Sequence, residues 1–186
     1  MADILIIYAS DYGGTKKMTE AVASGVNSVE DARAVVKQAE ETTAEDMITA
    51  DGIIFGSPVH MGSLDWRIKK FIDEICGGLW MKDTLKGKVG AAFVVGGGFG
   101  KSGSGAELTL LTLMANMAEL GMILIPLPKG TPGYVRGGLH WGPVGRSMDD
   151  AGKPVNWDND YLEVARHHGS HVARAAMALK NNKIYG

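Results

Sequence analysis

The chain of 186 residues reads as an α/β protein, a doubly wound five-stranded parallel sheet with helices on both faces. Three observations predict it. Short apolar runs recur along the chain, and most are nearly continuous, as strands covered on both faces require. Stretches with apolar residues three and four apart separate most of these runs, the spacing of one helix face. Strand and helix patterns alternate, which builds right-handed βαβ units rather than hairpins.

The first strand spans residues 4–9, and a polar turn follows it, Ser10-Asp11-Tyr12-Gly13-Gly14-Thr15. A helix over 15–27 aligns Met18, Val22 and Val26. Residues 34–37 and 52–55 give the second and third strands. A helix over 64–76 gathers Leu64, Ile68, Phe71, Ile72 and Ile75 on one side. Residues 89–95 form the fourth strand, and a helix over 106–120 stacks Leu110, Leu113, Met114 and Met117. The fifth strand spans 122–126, and a last helix over 158–180 aligns Leu162, Ala165, Val172, Ala176 and Leu179. Five strands with a phosphate-type turn after the first take the flavodoxin-like order 2-1-3-4-5. The segment 126–157 holds five of the six prolines and seven glycines, a density of breakers that predicts no regular element. Its Tyr134, His140, Trp141 and Trp157 predict an ordered loop over the C-terminal edge of the sheet. The length fits a single domain over 1–186.

Charge and cysteine content narrow the function. Nineteen basic and 21 acidic residues leave a net charge of −2, which excludes a general nucleic-acid surface. One cysteine, Cys76, excludes an intrachain disulfide and fits a reducing cytosol, so a cytoplasmic location is expected. Its place in an apolar helix predicts an inert buried thiol. No apolar run is long enough to span a bilayer, and no basic region precedes an apolar leader, so no membrane insertion and no signal peptide are expected. His167 and His171 stand four apart on a helix, but no carboxylate or cysteine completes a metal site, so none is expected.

In a doubly wound sheet the ligand sits beyond the strand C-termini. Three loops meet there. In the first, Gly13 and Gly14 let the backbone approach an anion, Ser10 and Thr15 offer hydroxyls, and the helix start favours negative charge. No Walker lysine and no G-x-G-x-x-G occur, so a monophosphate suits this turn best. The second loop is Pro58-Val59-His60-Met61-Gly62. The third is Gly96-Gly97-Gly98-Phe99-Gly100, continuing to Gly105. It imitates a nucleoside-triphosphate loop, but the pattern needs glycine where Val95 stands. Two glycine-bearing loops beside a phosphate cradle predict a flat ring ligand, with Met61 and Phe99 along its faces.

The first loop, Gly56-Ser57-Pro58-x-x-x-Gly62, Lys69-x-Phe71-Ile72-Asp73, Gly77-Gly78-Leu79-Trp80 and Glu107-x-Thr109-Leu110-Leu111 resemble the WrbA-type NAD(P)H:quinone oxidoreductases among flavodoxin-like FMN proteins. The resemblance covers most of residues 1–125. It implies FMN as cofactor, NAD(P)H as donor, a quinone as acceptor, and a homo-oligomer, dimer or tetramer. By position it implies that residues 10–15 hold the phosphate, while Pro58 to Met61 and Gly96 to Gly98 contact the ring and its chain. It also implies that Trp80 lines a substrate pocket, and Trp141 of the long loop is a second candidate wall. The chain departs from the family where His60-Met61 replaces an Arg-Phe pair and where Glu119 or Leu120 replaces a histidine. His60 either tunes the ring or is a plain loop histidine; Trp80 is either a pocket wall or packing. The alternative function is a flavodoxin-type electron carrier that binds redox partner proteins and has no small-molecule substrate. Such carriers usually carry an acidic face for steering, an excess this composition lacks.

Overall fold

The computed structural model describes residues 1–98, 105–149, 151–155, 159–182 and 184–185. Strands β1 (Ala2–Tyr8), β2 (Ala32–Gln38), β3 (Gly52–His60) and β5 (Val89–Gly96) are parallel neighbours in the order β2-β1-β3-β5. The register runs Ile6 opposite Val36 and Ile54, and Phe55 opposite Ala92. Because side chains alternate across a strand, β1 sends Ile4 and Ile6 to one face and Leu5 and Ile7 to the other. Ile54, Phe93 and Val95 join the first set, and Phe55, Ala92 and Val94 the second. Strands β1, β3 and β5 are therefore apolar on both faces, which is what the sequence showed as continuous runs.

Helices α1 (Gly14–Asn27) and α7 (Asn159–Leu179) cover the first face. They cross with almost no space between them. A Cβ on Gly25 would lie 1.8 Å from the Arg166 carbonyl oxygen, and one on Gly169 would lie 2.2 Å from that of Val22. On the other face lie α5 (Ala106–Glu119) and a helical stretch from Trp66 to Trp80. That stretch comprises α3 (Trp66–Phe71), a π-helical turn Ile72–Cys76 and α4 (Gly77–Trp80). It starts two residues later than the sequence predicts because Leu64 pairs in β4 (Ser63–Leu64) and Asp65 caps the helix. Helix α2 (Ala44–Thr49) is an addition to the expected elements. Its six residues are too few to show a period, and a Thr43–Asp46 capping box starts it.

The fifth strand position corrects the sequence reading. Strand β6 keeps only Ile123–Leu124, paired with Val89 and Gly90. The chain then leaves the sheet, forms α6 (Tyr134–Gly137) and β7 (Gly138–Leu139), and returns as β8 (Gly142–Arg146). Strand β8 pairs with Val94 to Gly96, so two separated pieces share the fifth place. The strand thus runs through Gly142, Pro143 and Gly145, residues that read as breakers. Pro143 is tolerated near the start of a strand. Gly142 is needed there, since a Cβ would meet the Ala92 carbonyl oxygen at 2.2 Å. Among the described residues, no helix is long and apolar enough to cross a membrane.

Candidate functional site

A cleft of about 540 Å³ opens at the C-terminal ends of β1, β3 and β5. It is lined by Ser10, Asp11, Tyr12, Gly14 and Thr15 from the first loop, by Pro58, Val59 and His60 from the second, and by Val95 and Gly97. Ser147 and Met148, just past β8, close one side. No local motif marks these two, because the strand that delivers them is rich in glycine and proline.

The first loop ends at Gly13, whose φ of 82° is left-handed, and among the described residues no atom lies within 4 Å of where its Cβ would be. Helix α1 starts there with no side-chain cap and no acidic residue in its first turn. Its N–H groups and dipole therefore face the cleft without a competing carboxylate in the first turn, a setting that attracts an anion. Ser10 Oγ accepts a long hydrogen bond from the Lys16 amide at 3.4 Å. Thr15 is buried at the same helix start.

The second loop is a hairpin. Val59 pairs with Leu64 and His60 with Ser63, which leaves Met61 and Gly62 as a two-residue turn. Both have left-handed φ, 49° and 78°, as the tight turn matched to strand twist requires. Met61 therefore points its side chain fully into solvent at the tip, rather than along the cleft wall as the sequence predicted. Gly62 meets the third loop, since a Cβ on Gly105 would lie 2.4 Å from the Gly62 Cα. Of that loop, Gly96 borders Val59, Gly97 lines the cleft, and Gly98 has a φ of 54°. Phe99 and Gly100 lie outside the described residues.

Beneath the second loop lies a charge network that sequence reasoning missed. Asp65 is fully buried. Its amide donates to Ser57 Oγ at 2.9 Å, and Ser57 Oγ donates to the Pro58 carbonyl at 2.8 Å. Arg67 Nε donates to Asp65 Oδ1 at 2.9 Å and Nη2 to Oδ2 at 2.7 Å. The same Nη2 lies 2.9 Å from Asp11 Oδ1. His60 bridges the two acids, with Nδ1 at 3.2 Å from Asp65 and Nε2 at 3.3 Å from Asp11. Burial pushes the Asp65 carboxyl up, but the hydrogen bonds and charge of Arg67 outweigh it and hold it below the usual range. The Asp65 hydrogen bonds raise Arg67 in turn, against burial. Asp11, His60 and Asp65 could bring three ligand atoms within 4.8 Å of one another. Arg67 already places a cation beside two of them, pairing with both Asp11 and Asp65. A cue existed in sequence: an Asp before a helix pattern, with Arg two residues on, is an N-cap signal.

Two other predicted residues sit elsewhere. Trp80 lines a separate hollow with Ile72, Cys76, Asn116 and Glu119. It lies at the far end of the helical stretch that Asp65 begins, roughly 20 Å of helix from the cleft. Trp141 packs against the core and donates from Nε1 to Glu107 Oε1 at 3.2 Å. Neither lines the cleft. Cys76 is buried, and burial, with Asp73 nearby, pushes its thiol up to about 12.

The chain belongs to the flavodoxin domain family, whose model matches residues 5–113. Among similar proteins is a flavodoxin of Aquifex aeolicus (strain VF5), 39% identical over 120 residues. That match spans 64% of this chain and 64% of the Aquifex protein. The flavodoxin, WrbA-like protein from Agrobacterium tumefaciens has a similar structure, with a TM-score of 0.69 and 26% identity over 96% of this chain and 99% of that one. A flavodoxin from the domain Archaea shares the fold at a TM-score of 0.66 and 23% identity, over 94% and 99% of the two chains. Family membership implies FMN as the ligand. The cleft fits it: an uncapped helix start suits a phosphate monoester, and apolar Val59, Val95 and Met148 suit a flat ring.

Proposed function

We propose that the chain binds FMN in this cleft and works as a flavodoxin-type electron carrier. The observation that carries the reading is the bare N-terminus of α1 opening into a cleft between the ends of β1, β3 and β5. Ser10, Gly14 and Thr15 would hold the phosphate, and Pro58, Val59, His60 and Gly97 would border the ring. Bound FMN supplies the redox chemistry; the chain positions it and sets its electrostatics. Tyr12 and Met61 are exposed beside the cleft, which supports a rim that docks a partner protein. The 39% identity to a named flavodoxin supports the same reading.

A second reading is a WrbA-type NAD(P)H:quinone oxidoreductase, assembled as a dimer or tetramer. It is favoured by the likeness to the Agrobacterium protein over nearly the whole of both chains. It lacks its expected pocket walls, since Trp80 and Trp141 lie away from the cleft. Anaerobic addition of NADH and NADPH to the FMN-loaded protein separates the two. The carrier reading predicts flavin absorbance that persists with both donors and bleaches with dithionite. Rapid bleaching by either nucleotide, with turnover on a soluble quinone, would overturn it.

A further inference from the structure

The charge network ties together two loops with different tasks. Asp11 belongs to the phosphate loop, whereas His60 belongs to the ring-side hairpin, whose base is anchored at buried Asp65. Arg67 joins them: its Nη2 lies 2.7 Å from Asp65 and 2.9 Å from Asp11. Its side chain is only 13% exposed, while that of Asp11 is 38% exposed. One end of the link is therefore fixed in the core, and the other holds a loop at the surface. A buried, forked arginine has few alternative partners and resists bending.

We propose that Arg67 is a positioning residue that latches the phosphate loop to the ring-side hairpin, so that filling either half of the cleft favours filling the other. The inference rests on the FMN reading. An anion at the start of α1 needs the first loop folded back over the helix end. The Asp11–Arg67 bridge pulls on that loop from the ring side, and His60 adds a second contact to the same carboxylate. Order gained by one loop is then handed to the other, and the coupling is reciprocal, as linkage requires.

The test uses the full chain freed of flavin, with riboflavin and inorganic phosphate as separate probes of the two halves. Flavin fluorescence reports riboflavin binding, and sodium chloride at matched ionic strength is the control. In the natural sequence, saturating phosphate tightens riboflavin binding by about five- to tenfold, the lower range of site-to-site couplings. Arg67→Met and Asp11→Ala each bring that ratio to about one, whatever either does to riboflavin affinity without phosphate. A general loss of structure would weaken riboflavin alone and leave the ratio. If Arg67→Met fails to fold, Asp11→Ala decides, since it removes only an exposed partner. Coupling that persists in Asp11→Ala, or is absent from the natural sequence, overturns the latch while FMN binding stands. Failure of the natural sequence to bind either flavin overturns both.

Discussion

Arg67 bridges Asp11 of the first loop and Asp65 at the base of the second. It neutralises two carboxylates, one of them with no exposure at all. Removing one partner of a buried pair leaves an uncompensated charge, which costs about 3–5 kcal/mol. Arg67→Met is therefore expected to lower stability by about that amount in urea denaturation. Asp11→Ala, which leaves the Asp65 pair intact, is expected to cost under about 1 kcal/mol, as exposed ion pairs do. His168 gives a second test at this scale. It is fully buried in α7, with no hydrogen-bond partner at either ring nitrogen among the described residues. Burial, with His171 nearby, pushes it down from 6.5 to about 3. Below pH 6.5 the unfolded chain binds a proton that the folded chain refuses, so stability is full above that pH and falls as pH drops towards 3. The expected slope is about 1.4 kcal/mol per pH unit once the unfolded histidine is charged. Denaturation midpoints between pH 7 and 4.5 should show that decline, and His168→Leu should reduce it, leaving the part due to His171, which burial also holds below its ordinary value. Asp3, held low by its Arg33 hydrogen bond, and Asp46, held low by Lys37, titrate below 3.8 and outside this window.

At the scale of elements, the crossing of α1 and α7 fixes how closely the first helical layer packs on the sheet. Gly25→Ala or Gly169→Ala would press a methyl group into a backbone carbonyl. Overpacking of that kind costs about 3 kcal/mol, and urea midpoints should fall accordingly. A surface change such as Glu20→Ala on the outer side of α1 should leave them within about 0.5 kcal/mol. The same scale shows what was legible in sequence. Buried parallel strands advertise themselves, so β1, β3 and β5 stood out as apolar runs. The long helices followed from aligned side chains such as Met18-Val22-Val26. Strand β8 did not, because its neighbours are set by long-range pairing with Val94 and Gly96 while its own residues are Gly142, Pro143 and Gly145. The divided fifth strand therefore read as a strand followed by a loop. The site divides in the same way. Ser10, Gly14, Thr15, Pro58 and His60 could be placed from local motifs, whereas Ser147 and Met148 arrive from far along the chain. Arg67 was passed over because its role depends on a partner, Asp11, 56 positions away by their numbers in the chain. For Trp80 the sequence leaves pocket wall and packing open, and for Trp141 it offers a second candidate wall; the first lines a hollow at the far end of its helical stretch and the second donates to Glu107.

For the whole molecule, the parallel sheet brings the start of α1 and the ends of three strands to one edge, and the family match supports the ligand proposed for it. An even balance of 19 basic and 21 acidic residues gives little long-range steering. Association with a redox partner is therefore expected to depend weakly on salt, with rates changing less than about threefold between low and physiological ionic strength. Stopped-flow mixing of the reduced protein with an acceptor checks this. The measurement that bears most directly on the account is a fluorescence titration of FMN with the purified, flavin-free chain. Stoichiometric quenching at one FMN per chain is expected, with riboflavin bound more weakly because it lacks the phosphate proposed to sit at the start of α1. No quenching, or equal affinity for FMN and riboflavin, would contradict the account.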